Sequence, residues 1–260
     1  MKTVTEIRAA LKEASEWTPW MEELKQDDRK SVQTLLKQWE KKKRLAEKLI
    51  HNHKLKIEFD QSFKECPGSL VAGIDEAGRG PLAGPVVTAA VILPEDCSLL
   101  LGLDDSKKMS KDKREAFASL IRKLAVSYSV HVQPPEEIDR QNIYQATKGS
   151  MTKAALALNP QPSVVLADAM KLDVPMPCES IIKGDAKSLA IAAASVLAKT
   201  GRDAIMDAYA EEYPVYGFAK HAGYGTSEHV AALELYGPCP IHRKTFEPVK
   251  SLLHNNGQPI

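Results

Sequence analysis

The chain has 260 residues, of which 43% are hydrophobic and 27% are charged, and its formal net charge is +1. These values are typical of a globular protein and exclude a polycation, so any affinity for nucleic acid must come from local basic patches. The four cysteines form no CxxC pair, which argues against a zinc cluster and favours a reducing compartment. Because no apolar signal segment follows Met1 and no run of about 18 apolar residues occurs, we expect a cytoplasmic protein with no membrane partner.

Residues 1–62 predict a helical N-terminal extension with a basic face. Thr3 and Glu6 have the spacing of a capping box, and Pro19 suits the first position of a second helix, which a third helix follows. The span 29–56 holds ten Lys or Arg residues against two Glu residues. This charge run predicts either a contact with a nucleic-acid backbone or a solvated or partner-binding helix.

Residues 69–260 predict an α/β domain that ends in a helical portion. Runs rich in Val, Ile and Ala predict strands at residues 69–75, 85–93, 127–133, 163–168 and 179–183. Helical periodicity predicts helices at residues 110–125, 135–158, 187–212, 226–236 and 245–253. A short turn joins the first two strands, which favours antiparallel pairing, whereas later strands alternate with helices, which favours parallel pairing. We therefore expect a mixed sheet with helices on its faces.

Two adjacent carboxylates, Asp75 and Glu76, end the first predicted strand, and a glycine–arginine–glycine turn follows them. Carboxylates at a strand end can bind a hard cation, and flanking glycines let the backbone and an arginine approach a phosphate. The glycines also fit the GxGxxG/A pattern of a dinucleotide site. That site needs a helix directly after Gly80, where the sequence predicts the strand 85–93. We therefore favour phosphate chemistry over a dinucleotide site.

Two further acids follow predicted strand ends. Asp168 ends an apolar run, and Asp185 precedes the long helix 187–212. For Asp168 alone, the simpler interpretation is a helix cap or an ion-pair partner. For Asp185 alone, the simpler interpretation is a helix N-cap. Strand ends in one sheet can converge on one edge, however, and oxygen-only ligands select Mg²⁺ or Mn²⁺. The four acids together predict a site that holds two ions about 4 Å apart for in-line attack on a phosphodiester.

Polar and aromatic residues near these acids suit a nucleic-acid substrate. The loop 105–110 carries Lys107, while Lys187 and Ser188 lie near the start of a helix, where amides favour a phosphate. Tyr224 lies in a glycine-rich loop and can stack on a sugar or base. The simpler interpretations are an ordinary helix-start loop and a packing tyrosine.

These motifs resemble the ribonuclease HII family from about residue 70 to 248. The matching segments are Gly73–Pro85, Asp105–Lys108, Leu166–Asp168, Lys183–Asp185 with Lys187-Ser188, Ala192–Ser195, Gly217-Phe218, Gly223–Thr226, and His242-Arg243 with Phe246. The related ribonuclease HIII group has a lysine where Arg79 stands, so Arg79 favours HII. Ala222 stands where many relatives have a lysine, which weakens the expectation of one phosphate contact.

The resemblance implies a ribonuclease H-like fold and Mg²⁺- or Mn²⁺-dependent cleavage of RNA in RNA/DNA duplexes. It also implies nicking 5′ of a single ribonucleotide in DNA, with 3′-hydroxyl and 5′-phosphate products. The catalytic and metal-binding roles carry over onto Asp75, Glu76, Asp168 and Asp185. Recognition of the 2′-hydroxyl and the RNA–DNA junction carries over onto Gly78, Arg79, Gly80 and Tyr224, with backbone contacts from Lys107, Lys187 and Ser188.

The expected partner is therefore an RNA/DNA hybrid or a DNA duplex that contains ribonucleotides, bound by a monomer. Two alternatives remain open at this point. One is a non-enzymatic duplex-binding protein on the same fold, although four carboxylates would only repel phosphate in such a protein. The other is a two-metal nuclease that acts on DNA.

Overall fold

The computed structural model describes residues 2–255, and these form two compact units that divide between Lys54 and Leu55. The division falls within one long helix, earlier than the predicted domain start at residue 69. The last two turns of that helix pack with the unit that holds the sheet. No helix within the described range is long and apolar enough to cross a membrane.

The first unit is a small helical bundle. It contains helices α1 (Val4–Glu13), α2 (Pro19–Lys25) and most of α3 (Lys30–Gln61). Thr3 and Glu6 form the predicted capping box at the start of α1, and Pro19 begins α2 as predicted. The core of this unit consists of apolar side chains from all three helices, Ile7, Leu11, Met21, Leu24, Val32 and Leu36. Most of the basic side chains of α3 are exposed.

The second unit is built on a five-stranded sheet with the order β3-β2-β1-β4-β5. The strands are β1 (Val71–Ala77), β2 (Val86–Ile92), β3 (Ser127–Gln133), β4 (Val164–Asp168) and β5 (Cys178–Ile181). All five predicted strands are confirmed, and β2 stands where a dinucleotide site would need a helix. As predicted, β1 and β2 pair antiparallel, and β4 pairs parallel with both β1 and β5.

The prediction of parallel pairing was wrong for β3, which pairs antiparallel with β2. The physical reason is that β2 is the one strand that runs against the others. A strand placed beside β2 is antiparallel to it while running in the same direction as β1, β4 and β5.

Helices cover both faces of the sheet and form the C-terminal portion. They are α4 (Lys111–Leu124), α5 (Pro135–Gln141), α6 (Ile143–Leu156), α7 (Gly184–Lys187), α8 (Leu189–Glu212), α9 (Phe218–His221), α10 (Ser227–Tyr236) and α11 (Val249–Asn255). Helices α4 and α8 pack on one face of the sheet, and α6 packs on the other. The single helix predicted at 135–158 is wrong. Asn142 has a φ of 76°, which breaks the helix, and its side chain caps α6.

Candidate active site

Parallel pairing of β1 with β4 brings two of the predicted acids together. The register pairs Ile74 with Ala167, so Asp75 and Asp168 occupy the next position on neighbouring strands. Side chains at such positions project to the same face, with strands about 4.8 Å apart. The two carboxylates therefore lie side by side at the carboxyl edge of the sheet.

Asp75 lies on the face of the sheet that α8 covers. Gly73, two residues earlier on the same face, has no room for a side chain because a Cβ would collide with the α8 backbone at Ala190. This close approach buries Asp75, which is 6% exposed. Burial, and next the charge of Glu76, raise the pKa of Asp75 well above its usual value, while a hydrogen bond from Ser195 of α8 opposes the rise.

Glu76 is also largely buried and only partly neutralised. Burial raises its pKa, the charge of Arg79 lowers it, and the charge of Asp168 raises it. Arg79 Nη1 lies 3.4 Å from Glu76 Oε1, whereas Oε2 is buried and has no hydrogen-bond partner among residues 2–255. A buried carboxylate oxygen without a partner is costly, so this atom suits a bound cation.

The segment after β5 brings Asp185 to the same edge. The Gly184 amide donates to Asp168 Oδ1 at 2.7 Å, which ties the start of α7 to the end of β4. Burial raises the pKa of Asp185, and the charges of Asp105 and Asp168 raise it further. Asp185 lies inside α7, and it is Ser188 that caps α8 by accepting the Ile191 amide. The simpler interpretation of Asp185 as the cap of the long helix was therefore wrong.

The four carboxylates are near enough to influence one another but do not form a complete metal site in this arrangement. Across residues 2–255, no three His, Cys, Asp or Glu side chains are grouped closely enough to hold an ion. The donor set still fits a hard divalent cation, because every side-chain donor is a carboxylate oxygen and one is buried without a partner. A bound cation would offset the repulsion between these carboxylates.

The turn after β1 needs one of its glycines for packing but not the other. Gly78 has a φ of 98°, and a Cβ there would collide with Arg202 and lie 2.7 Å from Pro85 O. A Cβ on Gly80 would meet only Tyr224 Cε1 at 3.6 Å, which is an ordinary contact. Packing within the chain therefore requires glycine at 78, whereas the space beside Gly80 is free for a ligand.

The other predicted substrate contacts lie in different environments. Tyr224 is 46% exposed and its Cε1 lies near Gly80, and Lys107 and Lys187 are exposed. Ser188 is completely buried in its capping role, so it offers no atom to a substrate in this arrangement.

Comparisons with known proteins agree with the motifs. The family model described as Ribonuclease HII matches residues 72–249, and the model described as Ribonuclease HII N-terminal domain matches residues 3–64. The chain belongs to the ribonuclease HII family. It is 52% identical to Ribonuclease HII of Bacillus licheniformis over 96% of this chain and 99% of that protein. The Bacillus subtilis relative of the same name is 48% identical over 96% of this chain and 98% of its own length.

Solved structures of the same family share the fold. Ribonuclease H2 from Pyrococcus horikoshii aligns with a TM-score of 0.64 and 26% identity over 73% of this chain and 100% of that one. RNase HII of Archaeoglobus fulgidus, solved as a PCNA:RNase HII complex, aligns with a TM-score of 0.59 and 27% identity over 68% of this chain and 95% of that one. Family and fold together support an endonuclease of the ribonuclease H type.

Two buried arginines of this ribonuclease HII family member were missed as site residues. Arg243 is fully buried. It belongs to one of the matching motifs, but the sequence did not predict a role for it. Its guanidinium donates to Gly78 O at 2.5 Å, Arg79 O at 2.8 Å and Gly84 O at 2.9 Å. In a trans peptide the carbonyl and the next amide point in opposite directions, so the amides of Arg79 and Gly80 point away from the Arg243 guanidinium. Neither amide donates to another residue in the described range.

Arg202 joins the turn to the tyrosine loop. This arginine of α8 is 1% exposed and donates to Ala83 O at 3.1 Å, Pro85 O at 3.0 Å and Ala222 O at 2.9 Å. The last acceptor lies two residues before Tyr224. No local pattern marks an arginine as buried, because its acceptors are backbone carbonyls from distant segments.

A pair of buried histidines fixes the backbone of Tyr224. The Cys239 amide donates to His242 Nδ1 at 2.9 Å, so His242 carries its proton on Nε2 and donates to His229 Nε2 at 3.0 Å. His229 then carries its proton on Nδ1 and donates to Tyr224 O at 2.9 Å. Burial, and next the neighbouring His229, lower the pKa of His242 to about 4, so this chain of neutral rings persists at neutral pH.

Proposed function

We propose that this chain is a divalent-cation-dependent endoribonuclease that cleaves the RNA strand of RNA/DNA hybrids. It also nicks duplex DNA on the 5′ side of a single embedded ribonucleotide, leaving a 3′-hydroxyl and a 5′-phosphate. The observation that carries the proposal is the meeting of Asp75, Glu76, Asp168 and Asp185 at one sheet edge, next to a turn with a free amide pair and an exposed tyrosine.

The residues at the sheet edge would hold the cations. Asp75, Glu76, Asp168 and Asp185 supply oxygen ligands of the kind that Mg²⁺ and Mn²⁺ prefer. The chemistry that bound divalent cations supply is a lowered pKa of the attacking water and stabilisation of the leaving 3′-oxygen. As the water oxygen bonds to phosphorus, the bond from phosphorus to that 3′-oxygen breaks. A neighbour of the same fold, Bst-RNase HIII, has been solved in complex with Mn²⁺.

The turn and the tyrosine loop would recognise the ribose. The amides of Arg79 and Gly80, which donate to no residue in the described range, can donate to a 2′-hydroxyl or a phosphate oxygen, and the open space at Gly80 admits the sugar. The Tyr224 ring lies beside this space and can stack on the sugar or base. A deoxyribose would leave the donors unpaired, which is the physical basis for telling RNA from DNA.

The decisive experiment compares three duplexes with and without Mg²⁺: one with a single ribonucleotide, an RNA/DNA hybrid and an all-DNA duplex. We expect Mg²⁺-dependent cuts only in the first two, mapped to the 5′ side of the lone ribonucleotide. Binding without cleavage would favour a duplex-binding protein, and cutting of the all-DNA duplex would favour a DNA nuclease.

Tyr224→Ala should lower kcat/KM on the single-ribonucleotide duplex. Removing one stacked aromatic ring costs about 1–3 kcal/mol, roughly 5- to 150-fold. Because Tyr224 is not a carboxylate, the Mg²⁺ concentration for half-maximal activity should stay unchanged. Tyr144→Ala is the matched control, since Tyr144 is 47% exposed but lies on α6. Equal kinetics for Tyr224→Ala and wild type would remove this residue from ribose recognition.

We propose that the first unit adds affinity for the nucleic-acid backbone. Lys37, Lys41 and Lys48 are exposed along α3 and line one shallow surface. Replacing all three with glutamine should weaken duplex binding and flatten its dependence on salt, by about 0.9 in log–log slope for each phosphate that the protein no longer neutralises. Lys153→Gln on α6 serves as the control. An unchanged slope in the triple variant would favour a role in stability or protein binding.

A further inference from the structure

The last two turns of α3 hold the segment that carries Asp185. Lys56, which is 5% exposed, donates from Nζ to Asp185 O at 3.0 Å, Asp104 Oδ1 at 3.1 Å and Leu103 O at 3.4 Å. An ammonium has three donors, so these acceptors use its whole capacity. Lys56 lies in the segment that matches the Ribonuclease HII N-terminal domain model, residues 3–64, and not in the segment 72–249 that carries the four acids.

Asp60, one turn further along the same face of α3, holds the other end of this segment. Its Oδ2 accepts the Ala190 amide at 2.9 Å. Residues four apart on a helix lie one above the other, so Lys56 and Asp60 project from the same face of α3. They bind two main-chain groups that are five residues apart, the Asp185 carbonyl and the Ala190 amide. Between these points lie the whole second half of α7 and the start of α8.

This support matters because α7 cannot hold itself in place. It has only four residues, which is too short for a helix to be stable alone, and the preceding Lys183 has a φ of 56°. Gly184 is tied to Asp168 on one side. On the other side, the Asp185 carbonyl is held by Lys56, so the direction of the Asp185 side chain depends on that contact.

We propose that Lys56 is a positioning residue that orients Asp185 toward a bound divalent cation by fixing its main-chain carbonyl. The inference rests on the proposed function, in which Asp185 is a metal ligand. Groups that orient ligands change metal affinity by about 10- to 100-fold when they are removed. Lys56 acts through the backbone, whereas its pairing with the half-exposed Asp104 is a separate contact.

The test is Mn²⁺ binding to the full chain, measured by electron paramagnetic resonance of free Mn²⁺ in a titration. Lys56→Met keeps the apolar stem and removes the donors, so we expect the Mn²⁺ dissociation constant to rise by about 10- to 100-fold. Asp104→Asn keeps the bond from Lys56 to Asp185 and should bind Mn²⁺ as the wild type does. If Lys56→Met does not fold, Lys56→Gln, whose shorter side chain does not reach Asp185 O, carries the same expectation.

A double-mutant cycle separates positioning from general stability. In an Asp185→Asn background, Lys56→Met should cause no further loss of Mn²⁺ affinity, since both changes act on one ligand. A lower melting temperature with unchanged Mn²⁺ affinity in Lys56→Met would overturn the inference. A wild-type chain that neither binds Mn²⁺ nor nicks the ribonucleotide duplex would overturn the proposed function itself, and the inference with it.

Discussion

Asp168→Asn should abolish Mg²⁺-dependent nicking while the fold stays intact. Asp168 is the central member of the acidic edge, because its charge acts on Asp75, Glu76 and Asp185 alike. Loss of this anionic ligand should cost about 4 kcal/mol or more in transition-state stabilisation, about a thousandfold in rate. The measurement is the single-turnover nicking rate on a duplex with one ribonucleotide at saturating Mg²⁺.

The fold should survive because asparagine keeps the side-chain hydrogen bond that ties Asp168 to the start of α7. Its side-chain oxygen can still accept the Gly184 amide that Asp168 Oδ1 accepts at 2.7 Å. Removing the charge also relieves repulsion with the neighbouring buried acids, so the melting temperature in the absence of metal should equal or exceed that of the wild type. A variant that is less active and more stable is expected where like charges are assembled for function.

Asp173→Asn is the matched control for this experiment. Asp173 lies five residues after Asp168, is 83% exposed and pairs with Lys148. The same chemical change there should leave nicking unaltered. Full activity of Asp168→Asn would exclude Asp168 from the site, and unfolding of that variant would contradict the structural explanation above.

The strands and the acids at their ends were predictable because both depend on local patterns. Buried strands such as β1 and β4 are recognisable from their apolar runs, and parallel pairing alone then brings Asp75 and Asp168 to the same edge. Pairing partners were less predictable. The antiparallel place of β3 depends on which strand it lies beside, and sequence order does not state this.

The supports of the site could not be predicted, because their partners are main-chain groups of distant segments. Arg202, Arg243 and Lys56 look like surface residues in the sequence, since buried cations are rare and carry no local signal. A deletion that ran through the predicted extension to residue 62 would also remove Lys56 and Asp60, so its effect would not report the basic face alone.

The second large effect is expected at Arg243, whose removal should damage both stability and recognition. Arg243→Met leaves the carbonyls of Gly78, Arg79 and Gly84 without their donor. Buried polar groups left unpaired cost about 1–3 kcal/mol each, so we expect a loss of about 3–5 kcal/mol after partial rearrangement. Arg140→Met is the control, because Arg140 is 67% exposed and should change stability by less than about 0.5 kcal/mol.

The positions of the tryptophans make their fluorescence a probe of unfolding in the first unit. Trp17, Trp20 and Trp39 all lie in the first unit, so their fluorescence in urea should shift less between Arg243→Met and wild type than a signal from the second unit. Far-ultraviolet circular dichroism follows both units and should show the loss in the second.

Recognition of the ribonucleotide should fail together with stability, because the same guanidinium fixes the peptides that carry the Arg79 and Gly80 amides. Without urea, at a temperature where the variant is folded, Arg243→Met should raise KM for the single-ribonucleotide duplex more than it lowers kcat. Arg243→Lys keeps the charge but lacks the planar fork that reaches three carbonyls, so it should recover little of either property. Recovery of both by lysine would show that charge, not the geometry of the fork, is what the turn requires.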